Sequence, residues 1–274
     1  MAPVIIDTIP CYAPDKAFDN TGYHPEALQV LSNLERNNFW YISRNTVLKI
    51  IFRRFLNNNP SETMEVGCGN GVVLHALTEL KNLRLTGADI YLSGVKFAKS
   101  QVPGVNFIQM DAENIPFDNS FDAIGCFDVL EHIDNDVAVI SQLRKALKNK
   151  GYLFITVPLH PWLWSEIDEI DRHKRRYTKS EIIKKVENAG FRIRHTNCFA
   201  CAVFPLVVIS RFMRKKDQKH SQITNEQVSY PEIEISRFTN AILRAIMRID
   251  EMLYKFNLKL PFGSSIVLVA TKED

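Results

Sequence analysis

Met64-Glu65-Val66-Gly67-Cys68-Gly69-Asn70-Gly71-Val72-Val73 decides the reading of this chain. A short β-prone run, Thr63–Val66, ends in three glycines at alternate positions. An apolar helix candidate, Val72–Leu80, follows at once. Strand, glycine turn and helix together let a ligand touch bare main chain, because glycine permits both the tight turn and the close approach. A dinucleotide site asks for G-x-G-x-x-G, with a pyrophosphate on the helix N-terminus. Here the spacing is G-x-G-x-G, and Glu65 stands two residues before the first glycine. An acid there suits a ligand with a positively charged end better than a pyrophosphate.

The rest of the chain bounds the answer. Its 274 residues suffice for one sizeable α/β domain with an insertion. A hydrophobic fraction of 46% and a charged fraction of 24% are those of an ordinary globule. The net charge of +3 is too weak to argue for nucleic acid. Cys198-Phe-Ala-Cys201 has C-x-x-C spacing but lies in an apolar stretch without a second pair, so the five cysteines read as free thiols. Met1–Asp7 has neither a basic start nor a long apolar core, and no stretch reaches the roughly 20 apolar residues of a membrane span. A reducing, cytoplasmic setting is expected.

The glycine stretch resembles the first motif of the class I S-adenosylmethionine-dependent methyltransferases. Three further stretches match that family in order: Leu85–Asp89, Phe107–Ala112 and Phe121–His132. With the strand near Gly151–Pro158, the resemblance covers about two-thirds of the chain. It implies an α/β, Rossmann-like fold: a seven-stranded, mostly parallel sheet with helices on both faces and an antiparallel last strand. Around this core we expect an N-terminal arm and helical lid (1–56), a methyltransferase core (57–198) with a substrate loop (159–178), a helical, amphipathic insertion (199–263) and the last strand (264–274). Met1–Asn20 reads as an irregular, proline-rich arm, and His24–Phe55 as helical.

The cofactor implied is S-adenosyl-L-methionine, held at its amino-acid end by Glu65, Gly67, Cys68, Gly69 and Gly71. Asp89 closes the second strand, where a carboxylate accepts both hydroxyls of a ribose, with Ile90 beside it; the alternative is a helix N-cap. Asp111 and Ala112 match the adenine contacts, and Phe127 the border of the adenosine. Aromatics followed by Arg44 resemble the lid of small-molecule methyltransferases, in which an arginine meets the cofactor's carboxylate; a guanidinium fork fits that group. A solvated helix arginine is the other reading.

Asp128-Val-Leu-Glu131-His132 closes the fourth strand where open α/β sheets bind ligands. In ubiquinone-type O-methyltransferases a matching stretch is associated with a divalent metal and a proton acceptor. That implies Asp128, Glu131 and His132 as an oxygen-rich set; local hydrogen bonding of the loop is the plainer account, and no metal is expected. His132 and His173 are the candidate proton acceptors. His160–Tyr177 leaves the carboxyl edge of the fifth strand and carries two tryptophans, two of the loop histidines and an Arg-Arg-Tyr run. It resembles the substrate loop of bacterial methyltransferases, which offers His160, Trp164, Arg176 and Tyr177 as acceptor contacts alongside His173. The alternative is that Asp168 and Asp171 pair with Arg175 and Arg176 to brace the loop.

Phe199–Gly263 departs from a minimal methyltransferase. It combines an apolar run, a basic patch (Arg211, Arg214, Lys215, Lys216, Lys219) and an amphipathic helix near Ile235–Phe256. A lining for the acceptor site, a homodimer face, peripheral membrane contact and a helical cap all remain open. The expected activity is methyl transfer to a small-molecule acceptor, without nucleic acid as partner; no Asn-Pro-Pro-Tyr-type motif follows the fourth strand. A Rossmann-type NAD-dependent oxidoreductase and a non-catalytic cofactor-binding protein are the rival readings.

Overall fold

The structure is a computed structural model that describes residues 2–18, 25–214 and 235–273. Lys215, Lys216 and Lys219 of the expected basic patch, and His24 at the expected helix start, lie outside the described residues. Strands β1 (Val4–Ile6), β2 (Ile9–Cys11), β3 (Ser61–Val66), β4 (Leu83–Asp89), β5 (Asn106–Gln109), β6 (Phe121–Phe127), β7 (Leu147–Pro158), β8 (Phe191–Phe199) and β9 (Ser265–Lys272) form one sheet. Its order is β1-β2-β5-β4-β3-β6-β7-β9-β8. Helices α1 (Pro25–Asn37), α2 (Phe39–Leu56), α3 (Val72–Leu77), α4 (Leu92–Gln101), α5 (Asp136–Ala146), α6 (Glu166–Ile170), α7 (Lys179–Asn188), α8 (Phe204–Arg214) and α9 (Arg237–Lys255) complete the chain.

The sheet has nine strands where seven were expected. β3 to β9 make the seven-stranded portion: six run in one direction, and β9 inserts antiparallel between β7 and β8. The additional two come from the N-terminal arm, which is a hairpin and not irregular. Its turn residues Asp7 and Thr8 both have positive φ (47° and 65°), the conformation that matches the twist of paired strands. β2 then joins β5 in parallel at Cys11 and Gln109, so the hairpin extends the sheet edge. The expected long helical lid is two helices, broken where Asn38 caps α2 by accepting from Trp40 N at 2.8 Å.

The parallel strands read as apolar runs because both of their faces are covered. Leu153, Phe154, Ile155 and Val157 of β7 are fully buried, and Phe52 of α2 stacks on Phe154 with ring centres 4.1 Å apart. Asp122 pins the mouth of β6: its carboxylate accepts from Glu62 N at 2.8 Å and from Lys148 Nζ at 2.9 Å. Thr178 and Glu181 form a capping box at the start of α7. This packing fixes the carboxyl ends of β3, β4, β5, β6 and β7 along one edge, where the candidate residues gather.

Candidate active site

The glycine loop turns where β3 ends. Gly67, Gly69 and Gly71 all have positive φ, at 76°, 50° and 82°. A Cβ on Gly67 would stand 2.3 Å from Val129 Cγ2, so this position admits only glycine. The backbone N–H groups of Gly67 and Cys68 donate to Ala88 O at 2.8 and 3.0 Å, and Gly69 N donates to Asp89 Oδ2 at 2.9 Å. Tyr91 N donates to the other oxygen of Asp89. Burial raises the Asp89 carboxyl, and these N–H groups partly offset it. Asp89 therefore sits where β4 meets the glycine loop. Beside it, Ile90 is half-buried and its carbonyl accepts from Gln109 Nε2. Cys68 is buried, which holds its thiol protonated.

Glu65 is the unusual member. It is buried on β3, and its Oε2 has no hydrogen-bond partner. Burial pushes its carboxyl up to about 8, against the attraction of Arg44. Arg44 itself pairs with Asp128 at 2.6 Å, its guanidinium lies 5.1 Å from the centre of the Tyr41 ring, and its Nε is buried without a partner. It is thus a buried arginine and not a solvated one, and one side of its fork is engaged by the chain. Asp128 has a φ of 54° and also accepts from Thr156 Oγ1 at 2.9 Å. Glu35 of α1 accepts from Asn70 Nδ2 at 2.8 Å, tying the lid to the glycine loop. Burial raises Glu35 to about 7, with the Asn70 bond acting the other way.

Asp111 stands at the end of β5, its Oδ1 accepting from Glu113 N at 2.8 Å and its Oδ2 facing Lys16 Nζ at 2.5 Å. Ala112 is half-buried next to it. Lys16 belongs to the N-terminal arm, which lies over this end of the sheet; Tyr12 meets the edge of the Phe117 ring at 5.4 Å. No sequence pattern pairs Lys16 with Asp111 or Glu35 with Asn70. Each acts through a contact between distant parts of the chain. Phe127, expected at the border of the adenosine, ends β6. Its ring is buried against Phe52 and over Gly125, whose added Cβ would lie 2.4 Å from it. It fills the core beneath the strand end.

The second half of the site joins the 3₁₀ turn Leu130–His132 to the loop after β7. Lys174 N donates to Glu131 O at 2.7 Å, which binds the two segments together. The His132 and His173 rings meet nearly edge to face, with centres 4.7 Å apart. His173 Nδ1 lies 2.8 Å from Asp168 Oδ1. With the proton on Nδ1 donated to Asp168, Nε2 is left as an acceptor. Burial, then the neighbouring His173, lower His132 to about 4. Burial alone would raise Asp168, but the bond from His173 and the charge of Arg176 bring it down to about 2.

Arg176 and Tyr177, expected as acceptor contacts, are both engaged by the chain itself. Arg176 Nε donates to Asp168 Oδ1 at 2.7 Å and Nη1 to Leu159 O at 3.2 Å. Tyr177 is fully buried, and its hydroxyl donates to Asp136 at 2.7 Å, an acid that also holds Lys185 and Arg175. His160 has a φ of 65° and its Nε2 bonds to Gly263 O at 3.1 Å, while Trp164 is half-buried with Nε1 donating to Glu169 at 3.4 Å.

The oxygen-rich set built on Asp128 does not assemble, because Asp128 turns to Arg44 and Thr156. Among the described residues, Glu131, His132 and His173 instead place one ligand atom each within 4.8 Å of one another. Glu131 is fully buried with both carboxylate oxygens unpartnered, and burial together with the charge of Asp128 raises it well above the usual carboxylate range. Burial of this carboxyl therefore favours its neutral form, whereas metal binding needs the carboxylate.

Comparison with known proteins agrees with this geometry. Residues 64–155 match the family model described as a methyltransferase domain. An uncharacterized protein of Methanocaldococcus jannaschii is 28% identical over 197 residues, covering 69% of this chain and 84% of the relative. A ubiquinone biosynthesis O-methyltransferase of Rickettsia bellii is 26% identical over 119 residues, covering 42% of this chain and 49% of the relative. The chain therefore spans about half the length of that enzyme. Among solved structures, phosphoethanolamine N-methyltransferase 2 of Haemonchus contortus in complex with S-adenosyl-L-methionine has a TM-score of 0.60 at 19% identity, covering 93% of this chain and 59% of its own, a likeness of fold. The glycine loop, the ordered strand-end acids and these matches make residues 64–155 similar to a methyltransferase domain, within a chain whose fold is like that of solved methyltransferases.

Proposed function

We propose that the protein transfers a methyl group from S-adenosylmethionine to a small-molecule acceptor. The observation that carries this reading is the unpartnered, buried carboxylate oxygen of Glu65 beside a glycine turn too tight for a Cβ. A buried carboxyl on the strand that leads into this turn fits a cationic amino-acid end and opposes a pyrophosphate, which also disfavours a nicotinamide cofactor. Glu65 and the loop at Gly67, Cys68, Gly69 and Gly71 would hold that end, with the free side of Arg44 turned to its carboxylate. Asp89, with Ile90 beside it, would accept from the ribose; Asp111 and Ala112 would meet the adenine.

When bound, the cofactor supplies a methyl already made labile by its sulfonium. The chain's own task is proximity, alignment and proton handling. His173, oriented by Asp168, offers Nε2 to an acceptor hydroxyl, and His132 lines the same corner as a neutral imidazole. His160 and Trp164 border the acceptor side from the loop. We assign no resident metal. The mild net charge supports a small acceptor over nucleic acid, and five free thiols support a reducing, cytoplasmic setting. Among the described residues, no helix is long and apolar enough to cross a membrane.

Calorimetry with S-adenosylhomocysteine, the demethylated product, is the first test, followed by methyl transfer from labelled cofactor over a metabolite extract. Tight binding by the wild type and none by Gly69→Trp supports the site; equal binding by both refutes it. Binding without transfer to any acceptor would favour a non-catalytic cofactor-binding protein.

A further inference from the structure

Helix α9 is apolar on the side that faces away from the protein. Its inward side is well accounted for. Met247 and Tyr254 are buried, and the Tyr254 hydroxyl donates to Cys198 O at 2.8 Å. Asp250 accepts from Cys201 N and Ala202 N at 2.7 and 3.0 Å, and Glu251 is paired with Arg244. Both acids of the helix are thereby turned inward. On the outward side, Phe238, Ile242, Ala245, Ile249, Met252 and Phe256 recur at steps of three and four, which sets them in one ridge. All six are exposed, Phe238 at 76% and Phe256 at 71%. At 1.5 Å per residue the ridge runs for about 27 Å.

The charges around this ridge have one sign. Arg237, Arg248 and Lys255 are exposed and stand eleven and seven residues apart, so they line a single flank of it. From Ser236 to Phe262 no exposed residue is acidic. Beyond the helix, Leu258, Lys259 and Phe262 are exposed as well and continue the same composition. Phe262 meets Phe204 at 5.6 Å, Phe204 meets the half-exposed Trp162 at 6.3 Å, and Trp162 meets His160 at 5.4 Å. A chain of rings thus leads from the end of α9 to the loop on the acceptor side.

We infer that the α9 ridge docks on an anionic lipid bilayer surface, with its apolar residues at the acyl boundary and its arginine and lysine flank on the headgroups. An apolar ridge beside cations, without acids, is the composition that binds such an interface. A second copy of the chain fits the face poorly. A two-fold contact between α9 helices would set two basic flanks together with no exposed acid among the described residues of the face to pair them. Docking this way brings the Trp162 loop to the membrane. It does not depend on the cofactor site, so the two readings fail separately.

The test is flotation of the full chain with vesicles of phosphatidylcholine alone and of phosphatidylcholine mixed with phosphatidylglycerol. Binding is expected to the mixed vesicles only, and to weaken as salt is raised. Ile249→Glu/Phe256→Glu should abolish it. Arg237→Gln/Arg248→Gln/Lys255→Gln should weaken it roughly tenfold or more. All of these positions are exposed, and unchanged S-adenosylhomocysteine affinity verifies that the variants are folded. Failure to bind either vesicle overturns the proposal, as does equal binding to both. A dimer in sedimentation equilibrium that Ile249→Glu dissociates, without vesicle binding, would assign the ridge to a second copy.

Discussion

Exchanging Glu65 for glutamine should uncouple cofactor binding from pH. In the free protein the carboxyl has a pKa of about 8, so at pH 7 it is about nine-tenths protonated. A cofactor ammonium against Oε2 stabilises the ionised form and expels that proton. Binding of S-adenosylhomocysteine at pH 7 should therefore release about 0.9 proton. The ionised fraction of free Glu65 rises from about one per cent at pH 6 to about one half at pH 8. Apparent affinity should climb by up to about 50-fold across that interval, equivalent to about 2.3 kcal/mol. Above pH 8 the curve should flatten. The assay is calorimetry at pH 6, 7 and 8 (chosen on the scale of that ionisation), repeated in buffers of different ionisation enthalpy to count protons. Glu65→Gln keeps the shape and removes the titration, so its affinity should be nearly flat with pH. Glu35 also titrates, near 7, but it is bonded to Asn70 and remains in the variant as an internal control. If Glu65→Gln releases as many protons as the wild type, the ammonium does not lie on Glu65 and the placement of the cofactor's amino-acid end is wrong.

The same burial sets how stability responds to pH. Glu35 and Glu65 are raised to about 7 and 8 from an unfolded value near 4.5. The native state therefore holds protons that the unfolded chain has lost, and stability of the cofactor-free protein should fall as pH rises from about 4.5 through 8; thermal melts that rise over this range would contradict it. Gly67→Ala forces a side chain into a φ of 76° and against Val129, at a cost of about 2–5 kcal/mol in urea unfolding. Adding Val129→Ala should recover about 1–3 kcal/mol of this, and simple additivity of the two variants would show that Val129 does not close over the turn. His173→Gln should lower kcat by about 10² or more with cofactor affinity unchanged. Dialysis against a chelator should leave kcat as it was, and a loss restored by added zinc would replace the proton-acceptor account with a metal at Glu131, His132 and His173.

The sheet and its turns were legible because they are written in local pattern. Alternate glycines, strand-terminal acids and the Thr178–Glu181 capping box each specify their geometry within a few residues. The N-terminal hairpin escaped notice for a physical reason. Its strands are three residues long and its turn is Asp7-Thr8 rather than Asn-Gly, so neither periodicity nor turn chemistry announces it. The site was legible in its backbone and less so in its side chains. Arg176 and Tyr177 carry the composition of a pocket, yet Asp168 and Asp136 turn both inward. Spacing along a loop does not say which way a side chain points. The pairing of Arg44 with Asp128 spans 84 residues, and no window of sequence contains it.

The place of β9 bears on how the molecule is made. Among the described strands β8 hydrogen-bonds only to β9, which follows it in sequence after α8 and α9. During synthesis, β8 leaves the ribosome with both edges bare and must wait through the whole of α8 and α9 for its neighbour. Until residues 265–272 are translated, the open edge of β7 is a template for the wrong strand, whether from this chain or from another nascent one. Closure of this part of the sheet thus waits on residues 265–272, and the interval before it is when a chaperone would matter most.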